Sequence, residues 1–189
     1  ISQGEKTQLG GIGDREVLED ALSWSDATLM GGETLRCEKS TCLIHNKQLM
    51  ANRLKERKSE QPISIVVSSQ RKYSLNLPFF NQPVTRWLLT QKDVKKHISD
   101  AVGYEKILFL DGDWATTLSA LSKEGISKLL VLGGAKVINS LLLEDQVNEL
   151  QLTLTPKLIG GDCTWLPNNV GLMPTELYQS NAWLLQEIK

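Results

Sequence analysis

Cysteine, histidine and excess charge are all scarce in this 189-residue chain, and each scarcity closes off a class of function. Three cysteines, Cys37, Cys42 and Cys163, cannot build a disulfide framework. An odd number without a secretory segment fits a reducing compartment, here the cytoplasm. Cys37 and Cys42 are too far apart for a Cys-x-x-Cys motif and lack partner histidines, so ordinary packing is expected and no metal site. The only histidines, His45 and His97, are distant in sequence and leave no visible acid–base triad. His97 falls in Lys95-Lys96-His97 on a polar helix face, as a surface residue would. With 21 Lys and Arg against 22 Asp and Glu, the net charge is −1 and no basic face for nucleic acid is implied. The one basic run, Arg53 to Lys58, is broken by Glu56 and reads as a solvated helix face. No apolar run approaches the roughly 20 residues of a membrane-spanning helix, and the polar N-terminus is not a signal peptide. No linker, internal repeat or low-complexity tract divides the chain, so one domain over residues 1–189 is expected. The chain starts at Ile1 without methionine, which fits a fragment, a processed form or a start that lies further upstream.

What is present is an alternation of strand and helix patterns. After a glycine-rich segment to Gly13, Asp14 opens a helix to Trp24. A short buried strand, Ala27 to Met30, closes on Gly31-Gly32, and another helix begins near Glu33 and Thr34. Lys47 to Lys58 reads as a helix, Ile63 to Val67 as a strand, Val84 to Thr90 as a strand and Val94 to Val102 as a helix. A strand over Ile107 to Leu110 precedes a helix over Trp114 to Lys123. A further strand, Leu129 to Leu132, breaks at Gly133-Gly134 into a helix with Val137, Ile138, Leu141 and Leu142 on one face. A last strand, Leu150 to Thr155, ends at Pro156 and Gly160-Gly161, and the tail reads as paired terminal strands. The pattern predicts an α/β domain with a mostly parallel central sheet, helices on both faces and an antiparallel edge at the C-terminal end.

Three strand ends carry the chemistry. In open α/β sheets ligands bind outside the carboxyl ends of the strands. Here those ends read Gly31-Gly32-Glu33-Thr34, Ser68-Ser69-Gln70-Arg71-Lys72 and Gly133-Gly134-Ala135-Lys136. Glycines let the backbone approach a phosphate, and the free N–H groups of a first helical turn point at it. The serine hydroxyls and the charges of Arg71 and Lys72 suit an additional phosphate, such as the ribose 2′-phosphate of NADP. A Gly-Gly step alone is an ordinary tight turn, and a Ser-Ser-Gln-Arg-Lys stretch alone an exposed loop; their placement after three separate strands is what points to a nucleotide. The spacing is not the Gly-x-Gly-x-x-Gly of a Rossmann site. Asp111-Gly112-Asp113 reads as a turn in which Asp113 caps the next helix, not as a metal loop.

These residues resemble the riboflavin-biosynthesis pyrimidine reductases, the reductase domain of the bifunctional deaminase-reductase, which have a dihydrofolate reductase-like fold. The resemblance rests on Gly133-Gly134, Asn139, Glu144-Asp145, Glu149, Pro156 and Gly160-Gly161, and on Asp26-Ala27-Thr28-Leu29 through Gly31, Thr34 and Arg36. It implies an NADPH-dependent reductase that transfers a hydride to a pyrimidine 5′-phosphate, working as a homodimer. It implies cofactor contacts from Gly31, Thr34, Ser68, Ser69, Arg71, Gly133, Gly134, Ala135, Lys136 and Val137, and substrate contacts from Arg36, Glu38 and His45. It also implies a strand and a Ser-x-Asp-Gly-Lys motif upstream of Ile1. The family's glutamate before Gly-Gly is here Leu132, and its two substrate-phosphate arginines fall near Leu22 and His45. A reductase of another substrate, such as a dihydrofolate-like pterin, and a non-catalytic nucleotide-binding domain therefore remain alternatives.

Overall fold

The computed structural model describes residues 12–91, 101–110 and 112–153. In chain order the elements are α1 (Ile12–Trp24), β1 (Ala27–Gly31), α2 (Gly32–Glu38), α3 (Lys47–Lys55), β2 (Ile63–Val67), a short 3-10 helix (Pro78–Asn81), β3 (Arg86–Gln91), β4 (Lys106–Leu110), α4 (Trp114–Lys123), β5 (Leu129–Gly133) and α5 (Ala135–Leu143). The five strands form one sheet in the order β4-β3-β2-β1-β5, and every neighbouring pair is parallel.

A parallel sheet must be covered on both faces, so its strands read as continuous apolar runs rather than alternations. β1 satisfies this fully, with all five residues buried. Successive side chains point to opposite faces. Ala27, Leu29, Ile65, Trp87 and Leu89 meet Trp114 and Leu121 of α4 and Val137 and Leu141 of α5. Met30, Val66 and Leu88 meet Leu35 of α2, Tyr73 and Phe79 on the other face. The expected parallel sheet with helices on both faces is thus what forms.

α4 is capped as expected. The Thr116 N–H donates to Asp113 Oδ1 at 2.7 Å, and Thr117 Oγ1 donates to the Asp113 carbonyl at 3.0 Å. The basic run at the end of α3 differs from its expectation. Arg53 is 2% exposed, and its guanidinium donates to the carbonyls of Leu22, Ser23 and Ser25 at 3.1, 2.9 and 2.6 Å and to that of Ser59 at 2.8 Å. The last carbonyls of a helix have no intrahelical donor, and a five-donor cation satisfies several at once. Burial lowers the Arg53 pKa, with the nearby Asp26 and Glu56 opposing it. α3 ends three residues sooner than expected because Arg57 turns to φ +62°. Cys37 and Cys42 are free and lie at the surface rather than packed inside.

The strand expected from Leu150 does not form within the described residues. Leu150 and Leu152 are exposed, and residues 150–153 join no ladder. A strand needs a partner for its backbone groups, and none of the five described strands supplies one. Thr155, Pro156, Gly160-Gly161, Cys163, the terminal strand pair with its antiparallel edge, Asp111, His97 and most of the Val94–Val102 helix lie outside the described residues, as does the segment before Ile12. Among the described residues no helix is long and apolar enough to cross a membrane, and no group of histidine, cysteine and acidic side chains could hold a metal.

Candidate functional site

The order β4-β3-β2-β1-β5 places β1 between β2 and β5. The chain moves outward from β1 to β2, β3 and β4, then returns across the sheet to β5. The helix after β1 lies on one face, where Leu35 packs, and the helix after β5 lies on the other, where Val137 and Leu141 pack. Two helices that leave adjacent strand ends toward opposite faces open a crevice between them, which is where such sheets bind ligands.

The three turns singled out in the sequence meet at this crevice. Gly134 sits at φ +99°, and a Cβ there would lie 3.0 Å from Thr34 Oγ1 and 3.5 Å from both the N and Cα of Gly31. Gly133 adopts φ +137°, with open space where its side chain would be. On the other flank, a Cβ on Gly32 would lie 2.6 Å from Ser68 Oγ and closer still to the Tyr73 hydroxyl. The backbones of the β1 and β5 turns therefore touch, and the side chain that follows β2 rests on the first residue of α2. Glycine is required at 134 by conformation and closeness together, and at 32 by closeness alone.

Each predicted residue has a definite place. Thr34 is half-buried beside Gly134. Ala135 and Lys136 form the exposed first turn of α5, whose start at Gly134 carries no side-chain cap. Their N–H groups precede the first intrahelical bonds and are free to face a ligand. Val137 departs from its expectation. Its N–H donates to the Gly134 carbonyl at 2.8 Å, and its side chain packs in the core and would touch a Cβ on Gly31 at 3.4 Å. It braces the turn.

Ser68 Oγ accepts the Gln70 N–H at 3.0 Å and the Tyr73 hydroxyl at 2.7 Å, and Ser69 is exposed beside it. Arg71 is buried at 3% exposure, where solvent-facing charge was expected. Its Nη2 donates to the Gln91 carbonyl at 3.0 Å, and its guanidinium lies 6.0 Å from the Phe109 ring centre. That places it at the carboxyl ends of β3 and β4, on the outer side of the Ser68 loop.

Arg36 reaches the same edge. Its Nη1 donates to Gln70 Oε1 at 2.8 Å, and its Nη2 pairs with the Glu33 carboxylate. That hydrogen bond lowers the Glu33 carboxyl and raises the Arg36 guanidinium, and Lys136 adds to the depression at Glu33. Arg36 thus ties α2 to the β2 loop, while Glu38 is exposed at the end of α2.

His45 is not brought to the crevice turns. It lies where α1 meets α3, and its N–H and that of Asn46 donate to Glu19 Oε2 at 2.9 and 2.8 Å. Burial alone would raise the Glu19 carboxyl, but these bonds and one from Arg15 Nε at 2.8 Å lower it to about 2. Tyr73, the residue that holds Ser68, escaped sequence reasoning. The one signal for it is an aromatic residue closing a polar loop, Ser68 to Lys72, that otherwise offers nothing to bury.

Comparisons with known proteins bear on the family and the fold. The family model described as the RibD C-terminal domain matches residues 1–183. The chain is 27% identical over 157 residues to the 2,5-diamino-6-ribosylamino-4(3H)-pyrimidinone 5′-phosphate reductase of Archaeoglobus fulgidus, a match covering 78% of this chain and 69% of that protein. It is 25% identical over 197 residues to the riboflavin biosynthesis protein RibD of Haemophilus influenzae, covering 100% of this chain and 51% of that protein. The chain therefore spans about half the length of that relative. Among solved structures, a pyrimidine reductase-like protein from Corynebacterium diphtheriae matches with a TM-score of 0.71 at 20% identity, over 84% of this chain and 70% of the other. At that identity the likeness shows the fold, which is the expected dihydrofolate reductase-like one.

Proposed function

This chain belongs to the RibD C-terminal domain family, and from that premise we propose that it is an NADPH-dependent reductase of a pyrimidine 5′-phosphate intermediate in riboflavin biosynthesis. The observation that carries the reading is the meeting of three turns, Gly31-Gly32, Ser68-Ser69 and Gly133-Gly134, at the crevice beside β1. A Cβ at Gly134 would crowd Thr34 and the Gly31 backbone, and one at Gly32 would overlap Tyr73 and Ser68, so glycine at both positions is what lets the three turns close on one another. The donors in reach are those an anionic cofactor requires: the first N–H groups of α5, the Ser68 hydroxyl and the Lys136 ammonium. The residues present thus fit a dinucleotide phosphate.

In this reading Ala135 and Lys136 hold the pyrophosphate through backbone N–H groups, and Lys136 adds charge. Thr34 borders the same turn from α2. Ser68 and Ser69 hold the second phosphate at the far side of Gly32. NADPH, when bound, supplies the hydride, so the chain's own work is to orient donor and acceptor and keep water out. Arg36, anchored by Glu33 and Gln70, offers a fixed cation at the mouth of the crevice for an anionic substrate. The reading extends to a homodimer, which light scattering of the purified protein tests directly.

A titration of the purified protein with NADPH, followed by cofactor fluorescence, tests the proposal, together with NADPH oxidation on a pyrimidine 5′-phosphate. Saturable binding and turnover support it; absence of binding refutes it. One observation favours a second reading, a reductase with a different acceptor. Leu22, where the resembling family has a phosphate-binding arginine, is fully buried, and His45 lies at the α1–α3 junction. NADPH binding with turnover only on a pterin or another heterocycle would select it.

A further inference from the structure

We infer that Tyr73 is a positioning residue that turns Ser68 into an obligate hydrogen-bond donor toward a phosphate oxygen of the cofactor, an inference that rests on the cofactor reading above. A serine hydroxyl has one hydrogen to give and two lone pairs to accept with. In free solution it rotates and serves either purpose. Here both lone pairs are claimed. The Gln70 N–H, which can only donate, points at Ser68 Oγ from 3.0 Å. The Tyr73 hydroxyl lies 2.7 Å away. Between a phenol and an alkyl hydroxyl the phenol is the stronger acid and, with its lone pairs spread into the ring, the poorer acceptor. The proton of that bond therefore belongs to Tyr73.

With two donors fixed on its oxygen, the Ser68 hydroxyl hydrogen has one tetrahedral direction left. A group in that state bonds any acceptor and repels a donor N–H, and it bonds an anionic oxygen more strongly than a neutral sugar hydroxyl. The phenol is held in turn. Tyr73 is 8% exposed, its ring packs with Met30, Leu35, Val66 and Phe79, and its oxygen presses against Gly32 so closely that any Cβ there would overlap it. Gly32, Ser68 and Tyr73 thus interlock, and the glycine is the piece that makes room. Sequence alone gives Tyr73 no such role.

A double-mutant cycle read by NADPH fluorescence titration tests this, with thermal melts as a check on folding. Ser68→Ala should weaken NADPH binding about tenfold, the loss of one charge-assisted hydrogen bond, and Tyr73→Phe about fivefold through loss of orientation. Tyr73→Phe in the Ser68→Ala background should cost nothing further, because its effect passes through that hydroxyl. Repeating the titrations with NADH locates the acceptor: a loss confined to NADPH assigns the 2′-phosphate, an equal loss with both assigns the pyrophosphate, and both results support the donor role. Tyr73→Phe without effect, or with the same effect in both backgrounds, overturns it. If Tyr73→Phe fails to fold, unchanged NADPH affinity in Ser68→Ala still overturns the inference, and Tyr73→His, which keeps a ring donor, takes its place in the cycle. A wild-type protein that fails to bind NADPH overturns the cofactor reading along with it, whereas wild-type binding with an additive cycle overturns the role of Tyr73 alone.

Discussion

Replacing Gly134 with alanine separates a phosphate-binding turn from an ordinary tight turn. At φ +99° and ψ +100° this residue occupies backbone space that L side chains rarely enter. Holding alanine there costs about 1–3 kcal/mol. The added Cβ also lands 3.0 Å from Thr34 Oγ1 and 3.5 Å from the Gly31 backbone, so the turn cannot keep its place without pushing α2 and β1 aside. The substituted turn will relax, and binding must then impose the strained conformation again. At about 1.4 kcal/mol per tenfold, 1–3 kcal/mol of strain becomes an NADPH affinity loss of about 5- to 150-fold. Any strain retained in the unliganded protein appears instead as a lower melting temperature, by about 2–12 °C for a chain of this size. Gly133→Ala is the control. Its φ of +137° is similarly strained, but nothing lies within 4 Å of its Cβ. It should show a comparable strain, in melting temperature or affinity, so that whatever Gly134→Ala loses beyond it belongs to the crowding of Thr34 and Gly31. Fluorescence titration and thermal melts of both variants give the comparison. Gly134→Ala that keeps NADPH affinity within about twofold and the melting temperature within about 2 °C of wild type would refute the strain assigned to this turn, because that strain must appear in one or the other.

Two further predictions concern what holds the frame of the site. Arg53→Met should lower stability by about 3–5 kcal/mol, since it strands several buried carbonyls at the end of α1; a melting temperature within a degree or two of wild type would show those carbonyls to be otherwise satisfied. Glu19 is held at about 2 against an ordinary 4.5 by the hydrogen bonds from Arg15, Asn46 and His45, against the opposing pull of burial. Its folded-state pKa is depressed, so its contribution is present above pH 4.5 and is lost as pH falls toward 2. Glu19→Gln should flatten the fall of melting temperature across that window, and an unchanged slope would remove Glu19 as its source.

The elements legible in the sequence are those whose signal is local. β1, β2 and β5 are short apolar runs that end at glycine or serine, and Asp113 precedes α4 as a cap should. Gly133-Gly134 could be placed because a strand, two glycines and an amphipathic helix are contiguous in the chain. Arg53 was illegible because its partners lie some thirty residues back, at Leu22, Ser23 and Ser25. From inside a basic run nothing marks one arginine as buried. Arg71 failed for the same reason, its guanidinium being held by the Gln91 carbonyl. Leu150 to Thr153, the described part of the strand expected to run to Thr155, shows the converse: its pattern suggests a strand, but it joins no ladder among the described residues.

The crevice is a property of chain order more than of its lining. It exists because β5 returns to pair with β1, so that α2 and α5 leave neighbouring strand ends toward opposite faces. Any sequence that keeps this crossing keeps the opening, which is why a 20% identical protein shares the fold. The backbone donors at Gly134 to Lys136 follow from the same crossing and tolerate divergence as well, provided the glycines remain. Side-chain contacts to a substrate have no such protection. Leu132 illustrates the difference. It packs against the cluster of Met30, Leu35 and Val66, so a carboxylate at that position would meet apolar side chains and the cost of burying a charge. The loss of the family's glutamate is therefore matched by its surroundings and not by one substitution alone. Restoring that carboxylate singly would destabilise the sheet face, and a lower melting temperature for Leu132→Glu is the expected result.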